Sequence, residues 1–275
     1  MKELTFGEFM SLLKDHYPAL HCEVYRNYYD WYGGDDSTTK YYLTYGCAVL
    51  YDLTESFRDP EKLLIWCRIH EVSGDCDFAQ ACRTFKEISD ADIGKYPKHS
   101  RDIQLFHHGA LSDKLNEFYG FRKFTRMGEA FEPDPHIREL TRDDLDEIKA
   151  MCDPAVLEND TWFGKCEAET FFDWDFDFYE KRGFRLLGYS EHGKLLGIAS
   201  WSAEDELNLG FFCDLFVSPD GRGRGIGKAL VRTAISRLPD RVWVYQAARD
   251  NAPSVGLAKS LGFTFEGAAL FVYSD

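Results

Sequence analysis

Residues 214–230 read DLFVSPDGRGRGIGKAL: an apolar strand, a proline that ends it, a glycine-rich turn, and a helical run that begins near Gly227. Strand, loop and helix in this order form an anion-binding arrangement. Glycines admit positive φ and let the backbone approach a ligand. The unpaired amides at the helix start, aided by its dipole, point toward negative charge. A pyrophosphate suits such a loop, and spacing decides which one. A Walker A loop needs glycine where Arg222 stands and Ser or Thr where Ala229 stands. The dinucleotide fingerprint fails too, because its last glycine falls on Ile226 or on Lys228.

Downstream, Asn251, Leu257, Gly262 and Phe263 form a second constellation at a helix that ends in a Gly-Phe pair. Together the two stretches resemble motifs A and B of the GNAT acyltransferases. Arg222, Gly225 and Gly227 satisfy the motif A pattern of Gln or Arg, two residues, Gly, one residue, Gly or Ala. Leu215, Val217 and Pro219 precede them as in its extended form. The resemblance covers roughly residues 137–275 and implies a twisted mixed sheet flanked by helices, an α/β (α+β) fold with two splayed central strands. It implies acetyl-CoA as co-substrate; no metal is expected, because the adjacent His107 and His108 would point to opposite faces of a strand. The pantetheine arm would lie along the backbone of Leu215, Phe216 and Val217. The pyrophosphate would lie on Arg222, Gly223, Arg224, Gly225, Ile226, Gly227 and Lys228, with Asn251 beside it.

The implied chemistry is direct transfer of an acyl group, acetyl first among them, to an amine. It needs a deprotonated nucleophile, charge stabilisation on the thioester oxygen and protonation of the departing thiolate. A backbone amide near Leu215 would stabilise the oxygen. Asp214 is the carboxylate on that strand, as base, substrate anchor or structural residue. Cys213 stands where some relatives carry Glu, and strand alternation keeps both from facing one cleft without a bulge. The tyrosine that motif B often supplies is Ala258 here, leaving Tyr245, Tyr273 or solvent as the acid.

A weaker repeat organises the rest. Residues 115–121 (LNEFYGF) and 257–263 (LAKSLGF) share Leu, Gly and Phe in register, 142 residues apart. Each follows an apolar strand-like run, at 103–106 and 242–245. The first half therefore looks like a degenerate copy, in which strand 63–68 leads into residues 74–88 without an Arg-Gly-Gly loop. The prolines in EPDPH (132–136) mark the boundary between a domain at 1–133 that should not bind CoA and an acyltransferase domain at 134–275.

A formal net charge of −15, negative in both halves, disfavours nucleic acid and favours a cationic small-molecule amine. Eight cysteines lack any CxxC pair and read as buried free thiols. No stretch has the apolar length of a membrane span. These features together place the protein in the cytoplasm, off the membrane, with oligomeric state open. Two readings stand beside the enzyme: a noncatalytic acyl-CoA sensor or scaffold, and a protein or peptide N-acetyltransferase. The expected helix at 167–181, EAETFFDWDFDFYEK, alternates aromatics with carboxylates. In a helix that period spreads the charges around the axis, which fits core aromatics with a solvated face. It also offers Asp173 and Trp174 as a cage for an ammonium group. Replacing both, as Asp173→Asn with Trp174→Ala, should raise the acceptor KM and leave that of acetyl-CoA unchanged; an unaltered acceptor KM removes the cage.

Overall fold

The structure, a computed structural model, describes residues 1–16, 38–55, 61–96, 98–152, 180, 183–205 and 208–274. The expected helix at 167–181, with Asp173 and Trp174, lies outside the described residues but for Glu180. Two series of elements follow one another. The first comprises β1 (Lys2–Leu4), α1 (Phe6–His16), β2 (Thr39–Thr44), β3 (Cys47–Glu55), β4 (Lys62–Glu71), α2 (Phe78–Ile93), β5 (Lys98–His108), α3 (Asp113–Asn116) and β6 (Gly120–Met127). The second comprises β7 (Ile137–Leu140), α4 (Leu145–Met151), β8 (Arg185–Glu191), β9 (Lys194–Glu204), β10 (Leu209–Val217), α5 (Ile226–Arg237), β11 (Val242–Ala248), α6 (Ala252–Ser260) and β12 (Thr264–Ser274). From β4 to β6 and from β10 to β12 the order is the same: strand, helix, strand, helix, strand. Gly120 and Gly262, the shared glycines of the repeat, both have positive φ, 154° and 78°.

The chain forms two compact units that interleave in sequence. Unit 1 comprises Met1–Phe124, Gln246–Asp250 and Phe265–Asp275; unit 2 comprises Thr125–Tyr245 and Asn251–Thr264. The division at 1–133 and 134–275 expected from the prolines does not coincide with these units, because β12 lies in unit 1. There it pairs antiparallel with β5, Leu270 opposite Leu105. The core of unit 1 shows the reason in its period of two. Val49 and Tyr51 of β3, Ile65, Cys67 and Ile69 of β4, and Ile103 and Leu105 of β5 share a face with Ala268 and Leu270 of β12. Ala81, Cys82 and Phe85 of α2 cover that face.

In unit 2 the sheet runs β11-β10-β9-β8-β7. Only β11 is parallel to its neighbour β10. Helices lie on both faces. Ile198 and Phe216 pack with Ile148 and Met151 of α4. Gly197, the next residue on β9, faces the other way, where a Cβ would meet Ile226 of α5 at 2.9 Å and Leu230 at 3.2 Å. The absence of a side chain at Gly197 lets the start of α5 settle onto the sheet.

One sequence expectation is corrected: Cys47 and Cys76 form a disulfide rather than two free thiols. The β2–β3 turn, with Tyr45 and Gly46 at positive φ, accepts hydrogen bonds from Val72 and Asp77 of the β4–α2 connection. Those bonds bring the two Cα atoms to 5.9 Å. Among the described residues, Cys67, Cys82, Cys152 and Cys213 are outside any disulfide.

His70 of β4 is fully buried and stacks on Phe106, ring centroids 4.3 Å apart. Burial lowers its pKa from 6.5 to about 3. Between those values the unfolded chain binds more protons than the folded one. Stability is therefore fully present above about 6.5 and is lost as the pH falls toward 3, with a slope approaching about 1.4 kcal/mol per pH unit. Urea unfolding between pH 7 and pH 4 should show this slope, and His70→Phe should flatten it.

Candidate functional site

The parallel pair β10–β11 is joined at one end only. Residues 209–211 pair with residues 242–244, and no pairing continues beyond Phe211. The corresponding pair β4–β5 stays joined over nine residues, from Lys62 opposite Lys98 to His70 opposite Phe106. The backbone of β10 beyond Phe211 therefore faces an opening on its β11 side.

A bulge lies in that free stretch. Phe212 pairs with Trp201 and Leu215 with Ala199, so Cys213 and Asp214 together stand opposite the single residue Ser200. Beyond the bulge the register again follows the ladder. Ser218 N–H donates to Leu196 C=O at 2.9 Å, which marks that position as a hydrogen-bonded pair. Hydrogen-bonded and open pairs alternate along an antiparallel ladder. Val217 and Leu215, opposite Gly197 and Ala199, are then the open pairs, and their N–H groups point toward the side β11 has left. Phe216 points its side chain into the core. Asp214 is held by Ser200, whose Oγ donates to Oδ2 at 2.7 Å and accepts from the Asp214 N–H at 2.9 Å.

The β10–α5 loop begins with a short 3₁₀ turn at Pro219–Gly221, after which Gly223 and Gly225 take φ of 72° and 82°. Their Cα atoms border open space, and Gly225 caps α5 without any side-chain hydrogen bond. The first-turn amides of α5 thus open on solvent, which is what a phosphate ligand requires. Arg222 donates to Val217 C=O at 3.1 Å. Arg224 pairs with Glu191, which keeps the carboxylate below its usual range and is itself bonded by Tyr189 Oη at 2.7 Å. Lys194 pairs with Asp220 at 2.6 Å. The tip of the β8–β9 hairpin thereby grips both ends of the loop. Lys228 is exposed.

Across from the loop, Leu257 of α6 lies 3.4 Å from the Cβ position of Gly227. Asn251 caps α6, its Oδ1 accepting from Ser254 N–H at 3.1 Å. Tyr245 is buried, 3% exposed, its hydroxyl 2.8 Å from Ser254 Oγ, and burial raises its pKa. The structure therefore brings Asp214, Leu215, the glycine loop, Asn251 and Tyr245 into one unit. Tyr273 belongs to the other unit, where its ring meets Lys86 and Arg101. Among the described residues no group of three or more His, Cys, Asp or Glu has metal-binding spacing.

The equivalent connection in unit 1 is closed to an anion. The side chain of Asp77 caps α2 by accepting from Gln80 N–H, which puts a carboxylate where a phosphate would need bare amides. The neighbouring Cys76 is tied to Cys47.

Three residues at the site went unread in the sequence. Ser200 is fully buried against the bulge. Ser218, at the head of the loop, is 5% exposed, its hydroxyl without a hydrogen-bond partner among the described residues. Glu191 holds Arg224. The serine before Pro219 was a legible signal; the other two depend on pairing between strands.

Residues 143–263 match the model of the acetyltransferase (GNAT) family. An uncharacterized N-acetyltransferase of Methanocaldococcus jannaschii is 30% identical over 141 residues, covering 46% of this chain and 59% of that protein. The UPF0157 protein YqkA of Bacillus subtilis (strain 168) is 36% identical over 80 residues, 29% of this chain and 23% of that one. The chain thus spans a quarter to three fifths of these relatives. A tandem GNAT protein from the clavulanic acid biosynthesis pathway superposes with a TM-score of 0.54 at 13% identity, over 98% of this chain and 96% of that one. That likeness shows a shared fold. The cap on α6 supplies a direct check: Asn251→Ala should cost about 1 kcal/mol in urea unfolding, and Asn251→Asp should restore most of it.

Proposed function

We propose, from the match of residues 143–263 to the acetyltransferase (GNAT) family model, that unit 2 transfers an acyl group, acetyl first among them, from coenzyme A to an amine of a small cationic molecule. One observation carries this reading. The strand pair opens beyond Phe211 beside a loop whose glycines leave the start of α5 bare. A strand edge left unpaired by β11 fits the pantetheine arm, and the uncapped helix start fits the pyrophosphate.

The amides of residues 222–228 would hold the pyrophosphate, with Arg222 and Lys228 adding charge. The N–H groups of Leu215 and Val217 and the C=O of Leu215 would hold the arm as a strand would, the Val217 C=O being taken by Arg222. The thioester supplies the activated acyl group when bound. Leu215 N–H is the candidate donor to the oxygen on which charge develops. Asp214 is the candidate base or anchor for the amine: the nitrogen loses its proton, its lone pair forms the new bond to the acyl carbon, and the carbon–sulfur bond breaks. Proton return to the departing sulfur would come from the Tyr245–Ser254 pair or from solvent. Net negative charge favours a cationic acceptor over nucleic acid. The same reading puts the protein in the cytoplasm, with the Cys47–Cys76 disulfide standing against a fully reduced chain.

A noncatalytic acyl-CoA sensor is the second reading, and Ala258 favours it, being fully buried where relatives often carry the acid. Turnover separates the two. Calorimetric titration should show one acetyl-CoA per chain and no binding in Gly225→Glu, whose carboxylate would meet the pyrophosphate at a position of strained φ. Screening amines for free thiol release then decides between enzyme and sensor. A wild type that binds no acetyl-CoA overturns both.

A further inference from the structure

We infer that Arg122 and Arg249 form a binding site for a phosphate group in unit 1, one that shares no residue with the glycine loop. Arg122 lies on β6, Arg249 follows β11, and both belong to unit 1. In a chain of net charge −15 carboxylates are plentiful partners for an arginine, yet Arg122 has none. It is 7% exposed, and among the described residues the only charge that bears on it is that of Arg249, of the same sign. Burial first, and then that repulsion, hold its pKa below the usual arginine range. Its Nη2 donates to Asn116 Oδ1 at 3.2 Å and to Asn116 C=O at 3.5 Å. Its buried Nη1 has no hydrogen-bond partner among the described residues. Buried charges are ordinarily paired and buried donors ordinarily satisfied, so this group stands out on both counts.

Arginines near the end of a helix often bond its last carbonyls, and that accounts for part of the pair. Arg249 donates to Glu117 C=O and Arg122 to Asn116 C=O, consecutive peptide groups at the end of α3. It does not account for Nη1, nor for two like charges gathered on a helix of four residues, whose dipole is slight. Nor does the architecture need them: 142 residues on, in the second series, Asn116 and Arg122 are matched by Ala258 and Thr264, neither of them charged. An anion would satisfy both groups. The two carbonyls tether the guanidinium groups to neighbouring peptides, and Asn116 and Arg249 are exposed. A ligand arriving from solvent therefore meets Arg249 first and the spare N–H groups of Arg122 next. Guanidinium forks match the oxygens of carboxylate and phosphate alike. Two positive charges answer a phosphate group, with nearly two negative charges, better than a carboxylate with one.

Calorimetric titration with sodium phosphate, against sodium chloride at matched ionic strength, tests the site in the full chain. Wild type should bind phosphate saturably, and Gly225→Glu, whose glycine loop is blocked, should keep this binding. Arg249→Ala, an exposed substitution, should weaken it about 10- to 100-fold, the usual contribution of a hydrogen bond to a charged group, with an unchanged urea midpoint and an unchanged Kd for acetyl-CoA. Arg122→Met should abolish it, and Arg122→Lys, which keeps the charge and loses the fork, should retain only part. Glycerol phosphate used in place of the free ion identifies the source: binding of both points to a phosphate ester, binding of the free ion alone to inorganic phosphate. The inference is overturned by a wild type without saturable phosphate binding, by an equal response to chloride, or by binding that Arg249→Ala leaves intact. It is overturned as well if binding disappears in Gly225→Glu, which would put the phosphate on the glycine loop, or if Arg249→Ala weakens acetyl-CoA in parallel, which would make the pair part of the coenzyme site.

Discussion

Everything proposed for unit 2 depends on the parting of two parallel strands. A parallel ladder satisfies backbone groups only while its strands remain side by side. The amides of Leu215 and Val217, turned to the side that β11 has left, are the ones a strand-like ligand can pair. The opening lasts because β10 is anchored along its other edge, residue by residue, to β9, and because the bulge at Cys213 and Asp214 is held by Ser200. One edge of the strand fixes the geometry and the other edge offers it.

The two halves show what that opening requires. In unit 1 the ladder β4–β5 runs unbroken through His70, and the hydrogen-bonding groups of β4 are consumed within the sheet. Asp77 fills the cap of α2 with its own carboxylate. The differences are few and concentrated: a ladder allowed to end, a helix cap left empty, and glycines placed where φ is positive. Each is a local sacrifice of stability, in keeping with functional sites that break rules obeyed elsewhere in the chain.

How far the sequence could be read follows the range of the interactions. Gly223 and Gly225 were legible because positive φ and helix capping are decided within a few residues. The strand and helix order through α5 and α6 followed from periodicity for the same reason. Ser200 was not legible: its meaning comes from Asp214, fourteen residues away and on another strand, and a serine within an apolar run carries no mark of it. The disulfide was missed because the turn that brings Cys47 to Cys76 acts through backbone bonds between distant segments. The destination of β12 was hidden by the matching element order of the two series. Two copies with the same period of two present equivalent edges, and pattern does not say which edge the last strand will take.

That destination constrains how the chain is organised. Ala268 and Leu270 are buried in the same core as Ile103 and Leu105, so the first unit is incomplete until the last residues have arrived. A boundary drawn at the prolines of 132–136 therefore separates sequence repeats and not folding units. A fragment ending there would leave the long edge of β5 bare, a row of unpaired backbone groups and apolar side chains of the kind that drives aggregation. The α6 helix that carries Asn251 leads directly into β12, so the segment bordering the proposed CoA loop is continuous with the strand that completes the other core. The first unit is therefore not dispensable for the second, because the residues that build its core and those that border the proposed CoA loop are consecutive in one chain.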